Sequence, residues 1–424
     1  MNRFIFLILF LPIFLTSCLQ DECTSIREFA VYTPVMMHAN DFRMNEINVE
    51  PQRPLENPGK LYFYDLFLLI NEAGKGIHFY DVSNPANPVQ VAFYNIPGNF
   101  DMAIRDNILY ADNVIDLIAI DIINIQNPRI ISRVENYSNQ WEPENQMFQA
   151  YAVRTERVER LDCSDGNFNN PWFWRGGGFF VTFDRAAEIG GVAGVRPDFA
   201  AGGGGSGVGG SFARFTLHEH YLYTVDHNSL LVWDIDNRNL EKINTKNLGW
   251  GIETIFPYED KLFIGSNSGM FIFDNSNPSN PVQLSVFQHA MACDPVVVEG
   301  NYAYVTLRDG NECQGFINQM DVVDITSLTN PVLVRSYPMT NPHGLAINQG
   351  TIYLGEGRHG LRVLDASNPD NVRRLEFYRN IPTYDVIYLP GGILFVVGEG
   401  GFFIFDAADN KKIKLLSEIR AIGR

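Results

Sequence analysis

The sequence predicts an all-β fold: a seven-bladed β-propeller with four-stranded antiparallel blades and one large insertion between blades 2 and 3. Two observations carry this reading. First, a phrase recurs in which an alternating apolar run ends in Asp and a polar turn rich in Asn and Pro follows. It reads Gly360-Leu361-Arg362-Val363-Leu364-Asp365-Ala366-Ser367-Asn368-Pro369, and again Gly76 to Pro85 and Gly269 to Pro278. Looser copies end at Asp121, Asp234, Asp324 and Asp406. The seven aspartates are spaced by 40, 113, 40, 50, 41 and 41 residues, and a period near 40 without helical periodicity is that of a four-stranded blade. Second, the apolar runs are short, rich in β-branched and aromatic residues, and bounded by Gly, Asn and Pro.

Each unit parses in the same way. In the sixth, His343 to Asn348 and Thr351 to Glu356 flank a Gln349-Gly350 turn. Leu361 to Asp365 makes a third strand and Arg373 to Tyr378 a fourth. The Asp that ends each third strand has a mechanical task. Its carboxylate can accept the backbone N–H two residues on, while the Pro downstream fixes φ and cannot extend a ladder. The seven aspartates are therefore read as structural.

The units resemble LVIVD repeats of propeller-type bacterial surface lipoproteins. The matching stretches are Leu361-Arg362-Val363-Leu364-Asp365 and Met320-Asp321-Val322-Val323-Asp324. The resemblance runs from about Pro54 to Ile419 and implies a seven-bladed propeller on the cell envelope. It brings no established activity with it.

Composition sets bounds. The chain has 424 residues, 46 % hydrophobic and 19 % charged, ordinary for a globular protein. One ring of repeats uses the whole length. A formal net charge of −17 excludes nucleic acid as an expected partner, because that binding rests on phosphate neutralisation by Lys and Arg. It suits cations or basic partners instead.

In chain order, residues 1–17 read as a signal peptide: one basic residue, Arg3, then the apolar run Phe4 to Leu15, too short to span a bilayer. Leu15-Thr16-Ser17-Cys18 resembles a lipobox, which makes Cys18 the expected lipidation site and the membrane a partner through several acyl chains. Gln20-Asp21-Glu22 resembles the export tag of surface-exposed lipoproteins, so the expected location is the bacterial outer membrane, lipid-anchored. Residues 18–58 form a tether with one expected strand, Phe29 to Met36, which either stays in the spacer or joins the ring where its ends meet. The propeller takes residues 59–424.

The 40-residue rhythm breaks at an insertion over about residues 138–211, which carries Trp172, Phe173, Trp174 and a glycine tract, Gly202 to Gly210. Gly205, Gly207 and Gly210 match G-x-G-x-x-G, but without the expected strand before and helix after; the tract reads as a flexible linker. With Cys18 lipidated, four cysteines remain. Cys293 and Cys313 fall in one blade and form the favoured disulfide, ahead of Cys23 with Cys163.

A binding site is expected at one mouth of the central channel. Aligning the start of the innermost strand across the blades gives Lys60, Asp101, Arg214, Glu253, Asp294, His343 and Asp385. Loops between second and third strands open on the same face and add Glu72, Asp112, Asp226, Glu356 and Glu399. The carboxylates with His343 (Asp101, Glu253, Asp294, Asp385) could hold Ca²⁺ or another divalent cation. Alternatively they cap strand starts around a water-filled channel. His218, His220 and His227 form a weaker zinc candidate. Trp172 and Trp174 could stack on sugars or pack the insertion onto the blades. No G-x-S-x-G elbow and no H-E-x-x-H helix is present. The expectation is a non-catalytic scaffold that binds an outer-membrane protein complex or a glycan, with a metal-dependent hydrolase or lactonase at the acidic mouth as the alternative.

Overall fold

The computed structural model describes residues 24–43, 47–137, 147–162, 207–289, 295–308, 318–410 and 412–422. Cys18, Cys23, Cys163, Trp172, Trp174, Cys293, Asp294 and Cys313 lie outside the described residues. The chain divides into two compact units, one from Met1–Thr33 and Val153–Val181, the other from Pro34–Ala152 and Thr182–Arg424.

The larger unit is a propeller of seven antiparallel sheets, each built from consecutive strands. Blade 1 contains Pro58–Tyr64, Phe67–Glu72, Gly76–Asp81 and Val89–Asn95. Blade 2 follows from Met102–Arg105 to Arg129–Val134, and blade 3 from Phe215–His218 to Glu241–Asn247. Blades 4 to 7 open with Ile252–Tyr258, Val296–Glu299, Leu345–Asn348 and Asp385–Leu389. First strands of successive blades touch all the way round, including blade 7 against blade 1, so the ring is closed about one axis.

The repeated turn works as its residues dictate. In all seven blades Oδ1 of the anchoring aspartate accepts the N–H two residues on: Ser83, Ile123, Asp236, Ser276, Thr326, Ser367 and Ala408, at 2.8–3.1 Å. The next residue's N–H then crosses to the hairpin joining strands one and two, as in Val82 to Leu66 and Ile235 to His220. One feature beyond the sequence reading also repeats. Strands three and four slip register once in every blade, at a bulge such as Val363/Leu364, and a bulge bends the outer strand and increases its twist.

Apolar burial holds blade to blade. Phe63 stacks on Phe395 (5.6 Å) and Tyr80 meets Phe402 edge-on (4.9 Å) across the closing seam. Leu61, Leu68, Ile70, Val396, Val397 and Ile404 fill the space between them, all but fully buried. Ser417 Oγ donates to Pro85 O across this seam (2.6 Å), as Ser285 does to Leu328 between blades 4 and 5 (2.6 Å). The closing seam is thus built like an internal one, and Ile422 N adds a bond to Leu55 O (2.8 Å).

The strand expected before the propeller exists but neither stays in a spacer nor closes the ring: Thr24–His38 pairs with Met147–Asp162 in a separate two-stranded sheet. After it, the Ala39–Arg43 helical turn and Asn48–Glu50 tie the chain to the blades. Asn48–Glu50 adds antiparallel to the outer edge of blade 1. Arg43 forks onto the buried Asp116 of blade 2 (2.9 Å to each oxygen), beside Arg133 (2.8 Å). Burial works against the Asp116 charge, yet the two guanidiniums hold its carboxyl below the ordinary value.

The end of the glycine tract is a correction to the linker reading. Val208–Gly209 is a short strand on the free, axis-facing edge of blade 1, antiparallel to Pro58–Tyr64, with Val208 opposite Phe63. Gly207 N bonds Ile104 O on the inner edge of blade 2 (2.9 Å), and Ala213 O accepts from Ile255 N of blade 4 (2.8 Å). The chain therefore runs along the channel wall before turning into blade 3. Glycine is required here: a Cβ on Gly207 would sit 2.2 Å from the Tyr62 ring and 2.5 Å from Phe63 O.

Candidate functional site

The residues expected at the channel mouth lie within two positions of the first-strand starts: Lys60, Asp101, Arg214, Glu253, His343 and Asp385. Blades 1, 2, 3 and 7 meet there through side chains. Lys60 Nζ is ion-paired with Asp101 Oδ2, and the same oxygen accepts the Arg214 backbone N–H at 2.5 Å. Asp385 Oδ2 accepts from Leu61 N (3.3 Å). Arg214 reaches His227 Nδ1 (3.1 Å). His343 is buried against Arg308, whose Nη1 lies 2.6 Å from His343 Nδ1, and its ring packs on Tyr384 (5.0 Å). The same Nη1 lies 2.8 Å from His343 Nε2; a guanidinium has no acceptor, so one of the two ring nitrogens accepts.

The loop carboxylates share a second device. Four of them close over backbone N–H groups of the chain entering a first strand or turning at their own loop, and Glu399 holds side chains instead. Glu72 accepts from Asn57 N (2.5 Å) and Glu56 N (3.1 Å), and Glu356 from Thr340 N (2.9 Å) and Asn341 N (2.6 Å). Asp112 Oδ1 takes Phe100 N, Asp101 N and Asn99 Nδ2 at 2.8–2.9 Å. Asp226 binds Asn228 N and Ser229 N (2.9 and 2.7 Å). Glu399 holds Arg358 and Tyr384 (3.0 and 3.2 Å). Such bonds satisfy donors that burial would otherwise leave unpaired.

Electrostatics follow from burial and partners. Desolvation pulls the Lys60 ammonium below its ordinary value against the attraction of Asp101. Burial pushes Asp112 up to about 6, against its backbone bonds. Burial, reinforced by Arg214, lowers His227 to about 4. For Glu72, burial is outweighed by His78 (3.0 Å) and the backbone N–H groups, and its carboxyl sits below the ordinary range.

The expected histidine set does not converge. His227 is at the mouth with Arg214, whereas His220 is in the hairpin at the opposite end of blade 3, beside Asp234 and Asp236. A residue the sequence reading missed is Trp250. It lies in the loop from blade 3 to blade 4 on the mouth side, 63 % exposed, and no other Phe, Tyr or Trp side chain among the described residues is exposed. Gly249 and Gly251, both at φ +91°, carry it outward. The signal was available: a Trp between two glycines in a blade-to-blade loop has little reason to pack.

Seven closed antiparallel sheets, repeated from one sequence phrase, define a β-propeller. The chain is an LVIVD-repeat β-propeller: the LVIVD repeat family model matches residues 255–287 and 291–339, most of blade 4 and blade 5. Its fold is similar to the computationally designed protein Ika8 (10 % identity, 87 % of this chain and 92 % of that chain, TM-score 0.50). It is also similar to a functionally unknown protein from Desulfotomaculum acetoxidans DSM 771 (11 % identity, 85 % and 98 %, TM-score 0.51). At such identity the likeness concerns the fold alone. No curated protein matches the sequence.

Proposed function

We propose that this chain is an envelope-anchored binding scaffold, held at the outer membrane by acyl groups on Cys18, whose propeller offers its mouth face to a protein or a glycan. The observation that carries the reading is how the mouth is divided. Asp101, Glu72, Asp112, Asp226 and Glu356 accept backbone N–H groups or face internal cations, while Trp250 is the one exposed Phe, Tyr or Trp among the described residues. The carboxylates thus hold the loops and strand entries of the mouth in place. An exposed aromatic on a rigid frame is the usual anchor of a docking surface, because it offers area at low entropic cost.

The anchor is tested by fatty-acid labelling of cells expressing the full chain. Label and membrane fractionation are expected for the native protein and lost in Cys18→Ala. Labelling that survives the substitution overturns the anchoring half of the reading. The docking half is tested separately by Trp250→Ala, which is expected to abolish binding on a glycan array or to the captured partner while leaving the label intact.

A further inference from the structure

On the face opposite the mouth, we infer that His220, Asp234 and Asp236 of blade 3 form a binding site for a divalent transition-metal ion. One ligand atom from each lies within 4.8 Å of the others, and among the described residues no other set of three His, Cys, Asp or Glu side chains comes so close. Movements of about 1 Å would bring them to the separations that ligands at about 2.0–2.2 Å from a shared ion require. One imidazole and two carboxylates are a nitrogen–oxygen set suited to Zn²⁺ and its neighbours rather than to Ca²⁺, which takes oxygen alone.

The repeat explains how the three are brought together. In every blade a backbone bond ties the residue after the anchoring aspartate to the strand-one hairpin; here it runs from Ile235 N to His220 O (3.0 Å). The residue two past the anchor is held above the same hairpin by the aspartate turn, here Asp236 N to Asp234 Oδ1 (2.8 Å). The hairpin position is Asn in blades 2 and 5 (Asn107, Asn301), and the position two past the anchor is Ser or Thr in blades 1, 4, 5 and 6 (Ser83, Ser276, Thr326, Ser367). Blade 3 alone places His at the first and Asp at the second.

A separate observation shows that this place in the repeat accommodates a cation. In blade 4 the hairpin residue is Asp260 and the anchor Asp274, and the Lys261 ammonium bridges them at 2.6 and 3.2 Å. Blade 3 has Tyr221 where blade 4 has Lys261, and the nearby Arg238 is turned to Asp121 of blade 2 (2.8 Å). The positive charge that blade 4 supplies covalently is supplied in blade 3 by a bound ion.

The test is calorimetric titration of Zn²⁺ into the full chain after chelator treatment, beside His220→Asn and Asp236→Ser. Both variants carry residues that sister blades already use at these positions, so folding is expected to persist, and circular dichroism checks it. The native chain is expected to bind one Zn²⁺ that each variant weakens by about tenfold or more, the loss typical even of residues that only support a ligand. Zn²⁺ should also shift the His220 ring resonances and raise the melting temperature of the native chain alone. Affinity unchanged in both variants, unmoved His220 resonances, or no Zn²⁺ binding by the native chain overturns the inference.

Discussion

Lys60 of blade 1 is ion-paired with Asp101 of blade 2, and the Asp101 oxygen that meets the ammonium also accepts the main-chain N–H of Arg214 at the start of blade 3. One carboxylate thus joins three blades where their inner strands begin. Its side chain is 4 % exposed and that of Lys60 12 %. Removing one partner of a buried pair strands the other, at a cost of about 3–5 kcal/mol, whereas replacing both by apolar groups can be close to neutral. Asp101→Leu should therefore lower stability by several kcal/mol, and Lys60→Met with Asp101→Leu by much less than the two single changes together. A double-mutant cycle in urea measures this, and additive losses would mean that the pair is uncoupled.

Asp112 and His227 should oppose each other as pH falls. Asp112 has its pKa raised to about 6. Its contribution to stability is fully present below the ordinary value and is lost as pH rises through 6. The His227 pKa is lowered to about 4, so its contribution is full above the ordinary value of 6.5 and is lost as pH falls through 4. Asp112→Asn keeps an acceptor for Phe100 N and Asp101 N while removing the first slope. The variant should lose stability on acidification from pH 6.5 to 4 more steeply than the native chain. Denaturation midpoints across that range decide it; parallel curves would mean that Asp112 contributes no such slope.

Gly360 and Gly391 separate steric contact from backbone strain. Both have positive φ, +120° and +96°. A Cβ on Gly360 would lie 2.2 Å from Tyr378 O, whereas one on Gly391 would meet nothing within 4 Å. Each Gly→Ala change incurs left-handed strain of about 1–2 kcal/mol, and Gly360→Ala should lose more because strand four must also move. Equal melting temperatures for the two variants would contradict this. The same glycine opens the third strand at Gly76 and Gly401, with clashes of 1.9 and 2.0 Å.

Gly207→Ala should detach the channel-lining strand from blade 1 without unfolding the ring. Amide exchange at Gly207, which bonds Ile104 O, should accelerate, while exchange in the first strands of blades 4 to 7 stays slow. Unchanged protection at Gly207 would mean that Tyr62 can yield to the added methyl group.

These contrasts track what the sequence made legible. The blade count, the four strands per blade and the aspartate turn were readable because each depends on residues a few positions apart. Asp365, for example, needs only the N–H of Ser367. The alignment of first-strand starts likewise placed Lys60, Asp101 and Arg214 together, since a ring converts equal positions in the repeat into neighbours in space. What stayed hidden depends on distant chain. Arg43 finds Asp116 across 73 residues. The Val208–Gly209 strand finds Phe63 and Tyr62 across a long insertion, and its glycines resemble a linker until the ring beneath Gly207 is known. The bulge lies on strand four, where the unpaired residue is Val91, Ile131, Ile243, Leu284, Val334, Leu375 or Leu416; an aliphatic residue there looks like any other strand residue until the register of its partner is known.

The docking face is tested most directly by photo-crosslinking in intact cells. A photoreactive amino acid replaces Trp250 on the mouth side or Ile123, 67 % exposed in the aspartate turn on the opposite face. A discrete adduct is expected from position 250 and none from position 123. No adduct at 250, or the same adducts from both positions, would contradict it.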